Sequence, residues 1–225
     1  MTRETLDKKL QELLDDILTL GSMVEQAIIN SVEALKQRDI ETAQKIYAED
    51  QKINEKRFEI ENGAVITIAT QQPMARDLRV LASVLDVAGE LERMGDYAKG
   101  IALITIRMGV EPPIKPLIDV PKMAELTADM LHRALDAFVE GDSEKALAIP
   151  KEDDQVDDLY NQVYRELLTY MISDPSTIDR ATFLLWVAHN LERTADRVTN
   201  ICERTIYIAT GTRDEIDSSD DEAHQ

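Results

Sequence analysis

Along the first segment Leu6, Leu10, Leu13, Ile17, Leu20, Val24, Ala27, Ser31 and Leu35, apolar but for the small Ser31, recur at steps of four and three. That spacing puts one stripe along one face of a long helix, with Thr2 or Thr5 available to cap its start. A turn at 36–41 follows, with Asp39 placed to cap the next helix. The second periodic segment spans about 40–70 and stops before Pro73, because proline disfavours helix at the residue before it. A third runs from about 75 to Gly109.

The stretch 110–121, "VEPPIKPLIDVP", carries four prolines in twelve residues and breaks the pattern. Beyond it the pattern starts again. Helices are predicted over 121–140, 142–172 and 177–210, with "EGD" at 140–142 matching "QRD" at 37–39. "EALKQRD" at 33–39 aligns with "DAFVEGD" at 136–142, a shift of 103, and "DQKIN" at 50–54 aligns with "DDQVD" at 153–157 at the same shift. "ELERMGDY" at 90–97 aligns with "NLERTADR" at 190–197 at a shift of 100. The expectation is an all-α, elongated chain of six long helices, a tandem repeat of two three-helix bundles. Residues 1–110 form the first bundle, 111–121 the linker, 122–211 the second bundle, and 212–225 an acidic disordered tail. Pro150 falls inside the fifth helix and is expected to kink or restart it.

Only 8 Gly and 7 Pro in 225 residues agree with long helices. The formal charge of −19 argues against non-specific nucleic-acid binding, which needs a basic surface, and against adhesion to anionic lipid. It suits cations or basic partner surfaces. The single cysteine, Cys202, excludes an internal disulfide and lies in an apolar stripe, where it reads as a core thiol. No apolar run is long enough to span a bilayer, and the polar start does not resemble a signal peptide, so a cytoplasmic location is expected.

Candidate chemistry sits beside the helix stripes. Glu92 and Asp96, and their counterparts Glu192 and Asp196, are each four apart and follow a stripe position; Asn200 continues the row where the first repeat has Gly100. Residues four apart share a helix face, with Cβ atoms about 5–6 Å apart. The preceding helices offer Asp153 and Asp157, matched by Asp50 and Asn54. If these rows face each other, each bundle gathers three or four oxygen donors. Two like charges about 4 Å apart cost about 1 kcal/mol in water and about 4 kcal/mol near a protein surface. A cation relieves that cost, and oxygen ligands suit Mg, Ca, Mn or oxidised iron. The alternative is a solvated acidic face, with Arg93 and Arg193 pairing nearby carboxylates. His189 could join the second patch or serve as an interfacial histidine. Arg76 and Arg79 could meet phosphate or cap helices. Met74 and Met94 read as packing residues, Trp186 as core or interface, and His132 as incidental.

As an ordered set, "QQPMARDLR", "ELERMGDYAKGIA", "EDDQVDDLYNQVYRELLTYM", "NLERTADRVTNICERTIYIATG" and the "EPP…KP" linker resemble the PhoU family of phosphate-uptake regulators over about residues 4–211. The resemblance implies two packed three-helix bundles, often as a homodimer. It implies E/D-x-x-x-D motifs holding divalent or trivalent metal, iron first and Zn, Mn, Mg or Ca as alternatives. These motifs map to Asp50, Asn54, Glu92, Asp96, Asp153, Asp157, Glu192 and Asp196. It implies a non-enzymatic negative regulator, peripheral to the inner membrane face. The implied partners are the nucleotide-binding subunit of the phosphate ABC importer and the phosphate-sensing histidine kinase. Asn54 and Gly100 in the first repeat predict a stronger metal site in the second. A structural scaffold without functional metal is the alternative. A ferritin-type di-metal oxidase is disfavoured, because such sites use Glu-x-x-His and the chain has none.

Overall fold

A computed structural model describes residues 3–212; the acidic tail expected from 212 onward lies, beyond Thr212, outside the described residues. Six rods are written as seven α-helices: α1 (Arg3–Gln37), α2 (Ile40–Gln71), α3 (Arg76–Met108), α4 (Asp119–Glu140), α5 (Ser143–Ala148), α6 (Asp153–Ser173) and α7 (Ile178–Thr210). The fifth rod is split. After Ala148 the chain tightens into a 3-10 turn over Ile149–Glu152, and α6 starts at Asp153. Pro150 forces the restart, since it has no N–H for the helix ladder and its ring crowds the preceding turn. The fourth helix begins at Asp119, two residues before the expected 121, because Pro121 is tolerated in a first turn whose N–H groups have no helical acceptor.

The duplication is visible bond by bond. At the first turn the amide of Asp39 donates to the carbonyl of Ala34 at 2.9 Å, and that of Arg38 to Leu35 at 3.2 Å. At a shift of 103, Asp142 donates to Ala137 at 2.9 Å and Gly141 to Phe138 at 3.2 Å. Asp39 and Asp142 both cap the following helix through their side chains. The left-handed position is Gly141 at φ 69° in one repeat and Arg38 at φ 60° in the other. A Cβ there costs about 1–2 kcal/mol, and the Arg38 guanidinium gains a bond to the carbonyl of Val110 at 3.2 Å.

The two halves share one core. Buried residues of both repeats, among them Ile17, Leu20, Val84 and Leu91 with Leu131, Leu135, Leu191 and Val198, form a continuous cluster. The α7 stripe, from Leu184 through Ala188, Leu191, Ala195, Val198 and Cys202 to Thr205, is buried throughout, and the α3 stripe of Leu85, Ala88, Leu91, Gly95, Ala98 and Ala102 is buried except for the half-buried Leu85; in α1 the stripe passes through Ile28 rather than Ala27. Between repeats α1 lies on α4, and α3 lies antiparallel on α7. Along α3 and α7 the partners run in opposite order: Asp86 with Arg204 at 3.2 Å, and Glu90 with Asn200 at 3.1 Å. A Cβ at Gly100 would stand 3.0 Å from the Asn190 side-chain amide, so the helices cross closely there and a larger residue would push that amide aside. The proline-rich connection is packed too: Ile114 and Leu117 lean on the core, and Lys115 pairs with Asp119 and Glu166.

Several single residues resolve. Cys202 is fully buried, and burial pushes its thiol up to about 12, as a core thiol requires. Met94 is packed, but Met74 is 79% exposed at the break before α3 and does not pack. Trp186 is 54% exposed and therefore not core. The His132 side chain is 63% exposed, and its Nδ1 lies 3.4 Å from Glu25 Oε1 across the α1–α4 contact. Arg79 caps α7, its Nε and Nη2 donating to the carbonyl of Ile208 at 3.3 and 3.2 Å.

The tightest helix approach is at Gly21, where a Cβ would come within 2.1 Å of Leu135 Cδ1. Gly21→Ala is expected to cost about 1–3 kcal/mol in equilibrium urea unfolding, as overpacking does. Adding Leu135→Val should return part of that loss; additive destabilisation would show that the α1–α4 approach is not the cause.

Candidate metal centre and the acidic seams

Each repeat has an acidic seam between its second and third rods. In the first, Asp50 of α2 is only 5% exposed and lies over Gly95 of α3, whose Cβ position is 3.8 Å from Asp50 Oδ1. The predicted rows do face each other here. The charge is met from within the chain, though. Lys99 Nζ donates to Asp50 Oδ2 at 2.7 Å and lies 3.6 Å from Asp96 Oδ1. Asn54 Nδ2 donates to the same Asp50 oxygen at 3.1 Å. Arg57 Nη1 stands 3.3 Å from Glu92 Oε1. Hydrogen bonding to Asp50 raises the Lys99 pKa above 10.5 despite partial burial. Asp50, Asn54, Glu92 and Asp96 are thus brought together around a lysine and an arginine.

The second seam lacks those cations. The counterpart of Lys99 is Thr199, and that of Arg57 is Tyr160. Thr199 turns its hydroxyl back to the carbonyl of Asp196 at 2.6 Å. Asp153 is 4% exposed, and Asp157, Glu192 and Asp196 are half-buried. Pro150 helps here, because the helix restart puts Asp153 in the first turn of α6, where the helix dipole favours a carboxylate. His189 Nδ1 lies 3.2 Å from Glu192 Oε2, and its ring centroid is 6.2 Å from that of Tyr160. Burial first, and the Glu192 charge second, raise the Tyr160 pKa. The α6 and α7 helices therefore meet at Tyr160, His189 and Glu192. Among the described residues no three His, Cys, Asp or Glu side chains stand in a ready coordination geometry. An ion would have to draw the half-buried carboxylates inward.

Asn200 does not sit with the row it was assigned to. It donates to Glu90 Oε2 at 3.1 Å across the α3–α7 crossing. A step of four overshoots a 3.6-residue turn by about 40°, so a residue eight along from Glu192 has turned about 80°. Gly100 is likewise a crossing position rather than a missing ligand. Beside it Arg197 donates to Glu90 at 2.7 Å and to the Tyr97 hydroxyl at 3.1 Å.

Sequence reasoning missed Lys99, Arg57 and the Arg133–Glu152 pair. Lys99 could have been found from its place three residues after Asp96, since i,i+3 positions meet on a helix.

Fold and seams define a helical protein of duplicated three-helix bundles, each with carboxylates buried between two rods. The family model described as the PhoU domain matches residues 17–105 and again 120–205. The phosphate-specific transport system accessory protein PhoU homolog of Clostridium acetobutylicum is 39% identical, over 94% of this chain and 97% of its own. That of Rhizobium meliloti is 38% identical over 92% and 88%. The crystal structure of the phosphate transport system regulatory protein PhoU from Streptococcus pneumoniae superposes with a TM-score of 0.87 at 31% identity, over 94% of this chain and 100% of that one. The chain belongs to the PhoU family.

Removing Lys99 leaves Asp50 buried with only an amide donor. Lys99→Met is expected to cost about 1–3 kcal/mol at pH 7 in denaturant unfolding. Because the folded-state pKa of Lys99 is raised, its stabilisation is complete below pH 10.5 and lost as pH climbs through the raised value. Wild type and variant should therefore begin to converge as pH rises past 10.5 and meet once it exceeds the raised value; a gap that does not narrow with rising pH would refute the pairing.

Proposed function

We propose that the chain is a metal-binding regulator that restrains phosphate uptake, with no catalytic step of its own. It acts through the nucleotide-binding subunit of the phosphate ABC importer and the phosphate-sensing histidine kinase, at the cytoplasmic membrane face and as a homodimer. The observation that carries the regulatory reading is similarity to named phosphate-transport accessory proteins over nearly the whole chain, through both repeats. Among the described residues no helix is long and apolar enough to cross a membrane, which fits action through partners.

For the metal, the two seams differ in fit. At the first, Lys99 and Arg57 already neutralise Asp50, Asp96 and Glu92, and a cation there would have to expel them. At the second, threonine and tyrosine take those places, Arg193 acts on Asp196 from the same helix, and the donor set is rich in the oxygen ligands that suit a hard ion. Asp153, Asp157, Glu192 and Asp196 would hold it, with His189 at the edge. Iron is the first choice, with Zn, Mn, Mg or Ca accepted by the same donors. An ion held there would supply positive charge between α6 and α7. The scaffold reading fits the first repeat, whose seam is closed by its own side chains.

Glu192→Gln with Asp196→Asn should strip metal from protein purified without added salts, whereas Glu92→Gln with Asp96→Asn should leave metal content unchanged. In cells replete with phosphate, the first double variant should also raise phosphate-responsive expression. Elemental analysis and a reporter read both outcomes. Unchanged metal in the first variant removes the metal reading, and unchanged expression on deleting the whole gene removes the regulatory one.

A further inference from the structure

Positions in the first two rods of each repeat correspond at a shift of 103, and the set around Glu152 differs from its counterparts in both volume and charge. In the second repeat Arg133 of α4 reaches across to the 3-10 turn. Its Nη1 and Nη2 donate to the two Glu152 oxygens at 2.8 and 2.6 Å, and its Nε donates to Asp129 at 2.8 Å. A planar guanidinium held two-pronged on a carboxylate is a strong and geometrically selective pair. Shifted back by 103, Arg133 becomes Asn30, Met130 becomes Ala27, and Glu152 remains Glu49. The carboxylate is kept, while the two large side chains beside it are replaced by small ones.

At that place the first repeat has a cavity of about 240 Å³ between α1 and α2, floored by α3. Asn30, Ala27 and Gln26 line one wall, and Glu49 and Asp50 line the other. We propose that this cavity is a binding site for a guanidinium group, the moiety the second repeat supplies from its own Arg133. Glu49 takes the two-pronged contact, and the side-chain carbonyls of Asn30 and Gln26 accept the remaining N–H groups. Two lysines also line the cavity. Lys99 is committed to Asp50 and Asp96. Lys52 holds Glu49 at 2.8 Å from a position where its own side chain is 63% exposed, and an exposed i,i+3 pair of this kind is weak. Gln155 stands at the counterpart of Lys52, so a ligand must displace only that one surface lysine. The proposal stands independently of any metal at the second seam.

The test is amide NMR titration of the full chain with agmatine and, separately, with N-acetyl-arginine methylamide; the citrulline analogue is the uncharged control. Shifts should centre on residues 26–30 and 46–53, with the citrulline analogue inert. Equal binding of both cations assigns a free small ligand, and binding of the blocked arginine alone assigns an arginine displayed on a polypeptide. Asn30→Arg rebuilds the second repeat's own pair, so it should fold normally and weaken binding at least about tenfold, equal to 1.4 kcal/mol. Lys52→Gln should tighten binding by freeing Glu49. Absence of localised shifts with either cation, or unchanged affinity in Asn30→Arg, overturns the proposal.

Discussion

A carboxylate buried where two helices touch needs positive charge or hydrogen-bond donors beside it, because leaving water unpaired costs several kcal/mol. The rest of this molecule is arranged around that requirement. Asp50 and Asp153 occupy equivalent places and are almost equally buried, at 5% and 4%. The first sits in mid-helix and is answered by Lys99. The second opens a helix, where the dipole offers part of an answer, and has threonine where the lysine would be. One duplicated frame therefore carries two solutions to a single electrostatic problem. In the first repeat Lys99 and Arg57 close the seam; in the second, Thr199 and Tyr160 stand in their places.

The frame can diverge in this way because its core does not depend on the seams. The contacts that join the repeats run along α1 with α4 and α3 with α7, through Gly21 against Leu135 and Gly100 against Asn190. The outer rods, α2 and α5–α6, pack on this inner layer and present their polar rows along its edge. Changes at positions such as 30, 99, 133 and 199 alter a groove or a seam without touching the buried apolar cluster. The Arg133–Glu152 clamp and the open groove at Asn30 are a second example of that freedom.

Much of this was legible in the sequence, for physical reasons that can be named. Helix stripes at steps of three and four, the capping aspartates Asp39 and Asp142, and the breaking prolines each act through local backbone chemistry, so they read directly. The duplicated turns confirm it to the level of individual hydrogen bonds. What did not read was the direction of side chains across helix pairs. Asn200 looked like the next member of an acidic row, but helix rotation carries it to the opposite crossing, onto Glu90. Lys99 went unremarked in the sequence, yet its long stem reaches the buried Asp50 of another helix. Met74 shows the same limit in reverse, an apolar residue left exposed where the chain breaks before α3. Periodicity fixes which face a residue lies on; it does not fix how far a flexible side chain reaches.

The account turns on one residue type at one position in each repeat, and exchanging them tests it most directly. Metal per chain should be measured by elemental analysis for wild type, Thr199→Lys and Lys99→Thr, each purified identically without added metal. The account predicts that the lysine at 199 empties the second seam and that losing the lysine at 99 adds metal at the first. Full metal content in Thr199→Lys would contradict it.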